Sequence, residues 1–328
     1  MTSLTLTCIG RQQNTHDVVS WQLAPLSGSL PPVLAGQCIT LHTEIDGQPE
    51  CRAYTLSSSP QDACWQVTIK DVGRVSRHLH QTLQVGDKIR VDGPFGDFNL
   101  TALPCERPLL LSAGSGITPM WAMLRDELAK RPDADIRFIH SARSPADVIF
   151  ADELAALAKP HAGIRHALIL EEAPTAHPWV GRLTPAMLAE LAPDLRERHV
   201  YLCGPAPYMA AVRTMLTELG LPPEQLHQES FGLPSAEPAT TSDHFWLTLK
   251  KSGKKVKILP GQTLLAALEA AGETMMAACR AGVCGSCRCT TTGDIERQSV
   301  MTLSAQDLES GVALACSCTA KGDISLDY

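Results

Sequence analysis

The sequence predicts a multidomain chain: an antiparallel β-barrel, an α/β domain built on a parallel sheet, and a small α+β domain. Three observations carry that expectation. Residues 1–103 hold short apolar runs punctuated by Gly, Pro and Asp. Residues 104–231 alternate strand-like and helix-like segments. Residues 244–328 hold six of the twelve cysteines, beyond a Pro/Ser/Thr/Ala-rich stretch at 232–243. A chain of 328 residues is also long enough for two or three domains of roughly 100–200 residues each.

In the first region, 38–42, 52–57, 65–70 and 88–91 read as short strands bounded by turn residues, the pattern of an antiparallel barrel. In the second, 108–112, 135–140, 165–170 and 199–203 read as strands. Segments 119–130, 151–158, 185–191 and 208–219 read as helices. This βα repetition requires a parallel sheet with helices on both faces. Residues 232–243 lack a periodic apolar face and read as a linker. Beyond it, 245–249 and 255–259 form a strand pair around the Ser252-Gly253 turn. Segment 263–271 is an amphipathic helix with Leu264, Leu265 and Leu268 on one face.

Composition narrows the function. The chain is 44% hydrophobic and 19% charged, which excludes a disordered protein. A net charge of -7 argues against a general nucleic-acid binder, which is basic. No apolar run approaches the roughly 18 residues of a membrane span. Residues 1–11 lack the layout of a signal peptide, so a cytoplasmic location is expected. There, cysteines do not form a disulfide framework. Cys8, Cys38, Cys51, Cys64, Cys105 and Cys203 are scattered, as small buried hydrophobes are; the other six are clustered, as metal ligands are.

Cys279 and Cys284 are separated by four residues, Cys284 and Cys287 by two, and Cys316 follows after 28 more. That is the C-x4-C-x2-C…C spacing of a plant-type 2Fe–2S site. Four thiolates also suit structural zinc, although zinc sites usually pair two short C-x2-4-C units. Small residues at Gly282, Gly285 and Ser286 let a loop wrap closely, with backbone N–H groups facing sulfur. Cys289 and Cys318 alternate with ligand positions along strands and read as packing residues.

Three further patterns concern nucleotides. Arg52 and Tyr54 share one face of a strand; an Arg holds phosphate bidentately and a Tyr stacks on a flat ring. The run from Gly73 through Val75 and Ser76 to Leu79 opens a helix, where free N–H groups suit a pyrophosphate. Gly93-Pro94-Phe95-Gly96 is a tight turn. Gly114-Ser115-Gly116-Ile117-Thr118-Pro119 follows a buried strand and opens a helix, but it lacks the six-position G-x-G-x-x-G of the usual dinucleotide fingerprint. Cys203-Gly204-Pro205 closes the last strand of the βα series, where ligands of open α/β sheets bind. Read singly, each of these could be structural.

In this order the motifs resemble the ferredoxin–NADP reductase superfamily. The 279–287 segment with Leu314-Ala315-Cys316 looks like the plant-type ferredoxin signature, which implies a β-grasp fold. The resemblance implies an FAD-binding barrel at 1–103, an NAD-binding domain at 104–231, a linker at 232–243 and a 2Fe–2S ferredoxin domain at 244–328. It implies that Arg52 contacts flavin phosphate, Tyr54 stacks on the ring and Thr55 lies beside its reactive nitrogen. Ala53, Ile69, Lys70, Gly73, Val75 and Ser76 join that site, and Phe231 covers the ring. Gly114, Gly116, Thr118, Pro119, Cys203, Gly204 and Pro205 hold the nicotinamide nucleotide, with Cys203 and Glu229 at the point of hydride transfer. Cys279, Cys284, Cys287 and Cys316 ligate the cluster.

Within the superfamily the chain looks most like the NADH oxidoreductases that serve hybrid-cluster protein, on the stretches 147–153, 181–184, 203–209 and 301–303. NADH, FAD and a 2Fe–2S cluster are therefore expected, with hybrid-cluster protein as the electron acceptor. One alternative is the reductase component of a bacterial oxygenase; another, of a different class, is a redox-sensing regulatory protein. Arg143 and Ser144 mark where a 2′-phosphate would be read. The run Lys250, Lys251, Lys254, Lys255 and Lys257 reads as a solvated hairpin face. If the modules are separable, Cys284→Ser loses the cluster while NADH still bleaches the flavin. Loss of flavin bleaching in that variant, followed by visible absorbance, would contradict the modular scheme.

Overall fold

The computed structural model describes residues 3–157, 163–174, 176–231, 244–277, 280, 282, 285–299 and 302–328. The expected linker therefore lies outside the described residues. Two compact units emerge: Met1–Gln48 with Tyr54–Phe231, and Gly232–Tyr328 with Pro49–Ala53.

The first unit opens with six strands, of which β4 includes Pro49–Ala53 of the second: β1 (Ser3–Thr15), β2 (Val18–Pro25), β3 (Cys38–Ile45), β4 (Gln48–Thr55), β5 (Trp65–Lys70) and, after helix α1 (Arg74–Thr82), β6 (Lys88–Phe95). They form one sheet in the order β4-β3-β6-β1-β2-β5. An antiparallel bridge between Leu56 and Val67 joins its two edges, so the sheet curls into a barrel. Leu6, Trp21, Leu23, Leu41 and Val67 are fully buried inside it, each contributing about 1.5–3 kcal/mol relative to exposure. β1 and β2 are not foreseen from sequence. The second half of β1, Gly10-Arg11-Gln12-Gln13-Asn14, lacks apolar alternation, yet its backbone pairs with β2 through two register shifts.

The same unit continues with β7 (Pro108–Ala113), α2 (Ile117–Lys130), β8 (Ile136–Ala142), α3 (Ala151–Leu157), β9 (Ile164–Leu170), α4 (Pro185–Leu191), β10 (His199–Cys203), α5 (Ala206–Glu218) and β11 (Leu226–Glu229). The five strands are parallel, in the order β11-β10-β7-β8-β9. The chain runs outward from β7 to β9, then returns to β10 on β7's other side. That reversal opens a crevice beyond the carboxyl ends of β7 and β10, where such sheets bind ligands. β7 is buried along its whole length, which explains its unbroken apolar run.

The second unit holds β12 (Phe245–Leu249), β13 (Lys255–Ile258), α6 (Leu264–Ala270), β14 (Arg288–Thr292), β15 (Ile295–Arg297), α7 (Ala305–Glu309), β16 (Val312–Leu314), β17 (Cys318–Ala320) and β18 (Ile324–Asp327). Its main sheet runs β13-β12-β18-β14-β16, with β15 and β17 paired separately. Thr263 caps α6, its side chain accepting from the Ala266 amide, a contact that favours a helix start. Leu264, Leu265 and Leu268 are buried in the core of this unit. In the lysine run, Lys254 pairs with Glu273 at 2.7 Å and Lys257 lies over the Trp246 ring. Among the described residues, no helix is long and apolar enough to cross a membrane.

One ionic knot fastens the amino ends of β8 and β10. Asp194 accepts from Arg137 Nε at 2.9 Å and from Arg198 Nη2 at 2.8 Å, and it also pairs with Arg107. Arg198 has no exposed side-chain surface. Hydrogen bonds from Arg198 and Arg137, with their charges, hold the Asp194 carboxyl far below the usual carboxylate range. A depressed carboxylate stabilises above its ordinary pKa, and that stability is lost as pH falls through the folded value. Removing Asp194 takes the acid from the buried Arg137, although Arg198 keeps Asp135 at 2.7 Å. Asp194→Asn should therefore cost about 3–5 kcal/mol in urea unfolding at pH 7. A loss under about 1 kcal/mol would instead rank the knot with ordinary surface pairs.

Candidate functional site

Two loops meet at the crevice. After β7, Gly114–Gly116 makes a single 3-10 turn into α2. Gly114 sits at φ +51 with nothing within 4 Å of where a Cβ would stand, so a ligand can approach its backbone. Gly116 has the opposite role: its Cβ would lie 2.3 Å from the Cys203 carbonyl oxygen and 2.6 Å from the Gly204 amide. Only glycine lets the two loops touch. Thr118 and Pro119 are buried in the first turn of α2, and the Thr118 hydroxyl donates to the Ser115 carbonyl at 3.1 Å. Both shape the turn.

The register sets Cys203 between Ser112 and Glu229 on neighbouring strands. Cys203 is fully buried. Burial, then the charge of Glu229, pushes its thiol well above the ordinary range. Burial raises the Glu229 carboxyl to about 8, and its Oε2 is enclosed with no partner among the described residues. The Tyr208 hydroxyl and Ser141 Oγ are likewise enclosed, and they face each other. Buried polar atoms normally find partners, so the Glu229 oxygen marks a place for a polar ligand.

Tyr208 and Ser141 line a cavity of about 330 Å³ that also reaches Gly114 and Pro205, with Asp17, Val18 and Lys70 on its barrel side. Each cation of the lining has an acid beside it. Lys70 lies 3.3 Å from Asp17, Arg143 3.0 Å from Asp147, and Arg182 3.3 Å from Glu171. Asp17, Ser141 and Glu171 were not singled out from sequence. Ser141 carried no local signal, because only the strand order brings it to the crevice.

On β4, Arg52 is partly buried, with Nη1 donating to the Cys51 carbonyl at 2.6 Å and to Glu50 at 3.3 Å. Ala53 and Tyr54 are partly buried and Thr55 is buried. Ile69, on β5, is buried. α1 opens at Gly73, where a Cβ would meet nothing within 4 Å. Val75 is buried, and the Ser76 hydroxyl accepts from the amides of Val72 at 3.0 Å and Gly73 at 2.9 Å. Ser76 thus caps its own helix. Phe231 is 43% exposed. The open backbone at Gly73 leaves room for a pyrophosphate, as a flavin nucleotide requires.

In the second unit, the buried Cys287 and Cys316 bring their sulfurs to 3.2 Å, too far apart for a disulfide. The Gly282 amide donates to Cys316 Sγ at 3.2 Å. Arg280, Gly282 and Gly285 all have positive φ, at 56°, 74° and 73°. Substituents cannot be added here, since a Cβ on Gly282 would lie 2.7 Å from Ser299 Cβ and one on Gly285 2.8 Å from Thr302 Oγ1. Cys279 and Cys284 lie outside the described residues. Cys289 and Cys318 are buried in the core, the Cys289 thiol donating to the Ala313 carbonyl at 3.5 Å. Two converging sulfurs, with a backbone N–H on that of Cys316, fit an iron–sulfur cluster.

Comparisons with known proteins find three family matches along the chain. Residues 12–100 match the oxidoreductase FAD-binding domain, 110–214 the oxidoreductase NAD-binding domain and 247–321 the 2Fe-2S iron-sulfur cluster binding domain. The glycine betaine monooxygenase reductase subunit of Chromohalobacter salexigens is 36% identical over 305 residues, covering 86% of this chain and 83% of its own. NADH oxidoreductase HCR of Escherichia coli is 36% identical over 303 residues, covering 91% of this chain and 89% of its own. Among solved structures, phthalate dioxygenase reductase matches with TM-score 0.65 at 25% identity over 99% of this chain and 98% of that one. An intact type IV self-sufficient cytochrome P450 monooxygenase matches with TM-score 0.71 at 27% identity; this chain is covered to 99% but spans only 40% of that protein.

Fold and site together define an oxidoreductase that uses FAD, a nicotinamide nucleotide and a 2Fe–2S cluster. The chain belongs to the family of FAD- and NAD-binding reductases that carry a 2Fe–2S ferredoxin domain.

The raised Glu229 carboxyl is neutral at pH 7 and ionises above about 8, placing a charge against Cys203. The rate of flavin reduction by NADH should fall as pH rises through about 8, and Glu229→Gln should remove that limb. Persistence of the limb in stopped-flow traces of the variant would assign it to another group.

Proposed function

We propose that this chain is the NADH-dependent reductase component of a bacterial oxygenase, cytoplasmic and acting on a separate acceptor protein. The observation that carries this reading is a match spanning all three domains to proteins named as oxygenase reductases, among them glycine betaine monooxygenase reductase and phthalate dioxygenase reductase. The expectation of hybrid-cluster protein as acceptor takes second place; it is supported by the relative named NADH oxidoreductase HCR.

When bound, the flavin takes two electrons as a hydride and the cluster takes them one at a time, chemistry that belongs to the cofactors. The residues of the chain position and insulate. In our reading Arg52, Ala53, Tyr54, Thr55, Ile69, Lys70, Gly73, Val75 and Ser76 hold the flavin, and Phe231 covers its ring. Gly114 offers its open backbone to the nucleotide phosphates. Gly116, Gly204 and Pro205 seat the nicotinamide end against Cys203, and Thr118 and Pro119 fix the turn. The desolvated thiol of Cys203 keeps water and charge from the reacting carbon. Neutral Glu229 presents a hydrogen-bonding group there. Cys279, Cys284, Cys287 and Cys316 ligate the cluster, with the Gly282 amide supporting Cys316.

NADH is favoured over NADPH by charge balance. Lys70, Arg143 and Arg182 each lie beside an acid, so a 2′-phosphate would add charge beside Asp147 or Glu171, while a 2′-hydroxyl can donate to either acid. Steady-state turnover should therefore favour NADH by at least about tenfold in kcat/KM, equivalent to about 1.4 kcal/mol. With NADH, purified oxygenase components should be reduced faster than hybrid-cluster protein. Equal use of NADPH would refute the charge argument, and faster reduction of hybrid-cluster protein would reverse the order of acceptors.

A further inference from the structure

We infer that the Asp62–Arg125 ion pair is a positioning clamp that sets the approach of the nicotinamide site to the flavin strand. The inference rests on the reading that Thr55 and Cys203 flank hydride transfer. Arg125 grips Asp62 bidentately, Nη1 to Oδ2 at 2.7 Å and Nη2 to Oδ1 at 2.8 Å. One helical step on, Asp126 accepts from Gln61 Nε2 at 2.8 Å, and its other oxygen takes Lys130 at 2.7 Å. Adjacent residues of α2 thus hold adjacent residues of the loop between β4 and β5.

Both ends of this clamp are stiff. On the barrel side, Asp62 Oδ2 also accepts the Ser59 amide at 2.9 Å. Ser57 donates its own amide to the Gln66 carbonyl at 2.8 Å, and its hydroxyl bonds Thr68 at 2.8 Å. Thr55 stands two residues before Ser57, so the clamped loop is a direct extension of the flavin strand. On the other side, Arg125 lies nine residues along α2 from Gly116, about 13.5 Å of helix at 1.5 Å per residue. Gly116 rests on the Cys203 carbonyl, so α2 and the Cys203 loop move together. A rotation of α2 against the barrel must break the Asp62–Arg125 bonds or displace Cys203 relative to Thr55.

Hydride transfer is steeply sensitive to such displacement; a shift of about 1 Å can cost about 100-fold. A bidentate Arg–carboxylate pair restricts angle as well as distance, which an ordinary packing contact does not. The nucleotide-lining residues are untouched by the clamp, so its loss should spare binding.

The test uses the full-length holoprotein with Arg125→Met, Asp62→Asn and the double variant. Arg125→Met should lower the limiting rate of flavin reduction by about tenfold and leave the apparent NADH dissociation constant within about twofold. Flavin and iron content should match wild type. The long-wavelength absorbance band of NAD+ on the reduced protein, which reports ring overlap, should weaken in parallel. The double variant should be no slower than either single one, as partners in one interaction are non-additive. Wild-type rate and band in Arg125→Met, or additive losses in the double variant, would overturn the clamp. So would a lowered melting temperature with rate and band unchanged. Cys203→Ala separates the two readings: if it reduces at the wild-type rate, the placement of hydride transfer beside Cys203 fails, whereas the band still reports on the clamp.

Discussion

The backbone contact between Gly116 and the Cys203–Gly204 peptide is the constraint on which the site depends. It exists because β7 and β10 lie side by side although far apart in sequence, and because Gly116 has no side chain to hold their loops apart. One contact thereby ties the start of α2 to the buried thiol and to Glu229 on the next strand. Gly114, two residues earlier, faces open space. Two glycines in one short motif thus serve opposite ends, one closing protein on protein and the other leaving backbone for a ligand.

The chemistry of the crevice follows from desolvation. Cys203 and Glu229 are pressed toward their neutral forms by burial, and the unpartnered Oε2 of Glu229 is an atom that a polar ligand would complete. The cavity rim shows the complementary device, with Lys70, Arg143 and Arg182 each beside an acid. The second unit meets a different electrostatic task. Its loop turns left-handed at Arg280, Gly282 and Gly285 and brings a backbone N–H to the sulfur of Cys316, which stabilises a thiolate.

Much of this was legible in the residues. β5, α4 and β10 lie at the expected positions because turn residues bound them sharply. Ser76 shows what the structure adds. Its place at a helix start was visible, but its hydroxyl engages the amides of Val72 and Gly73. β1 escaped notice because half of its side chains are polar; its pairing depends on backbone bonds to β2. The partner is the least legible feature. Relatives named as an oxygenase reductase subunit and as NADH oxidoreductase HCR match this chain at the same 36% identity, so the order of domains does not name the acceptor.

By itself, the sequence determined the three-part order, the cysteine spacing and the glycine motifs, because these rest on short-range chemistry: ligand count, turn sterics and periodicity. Only the tertiary structure decided that Ser141 reaches the crevice and that Asp62 meets Arg125. Those relations join residues from different strands and loops. They are set by sheet order and helix packing, which no local pattern records.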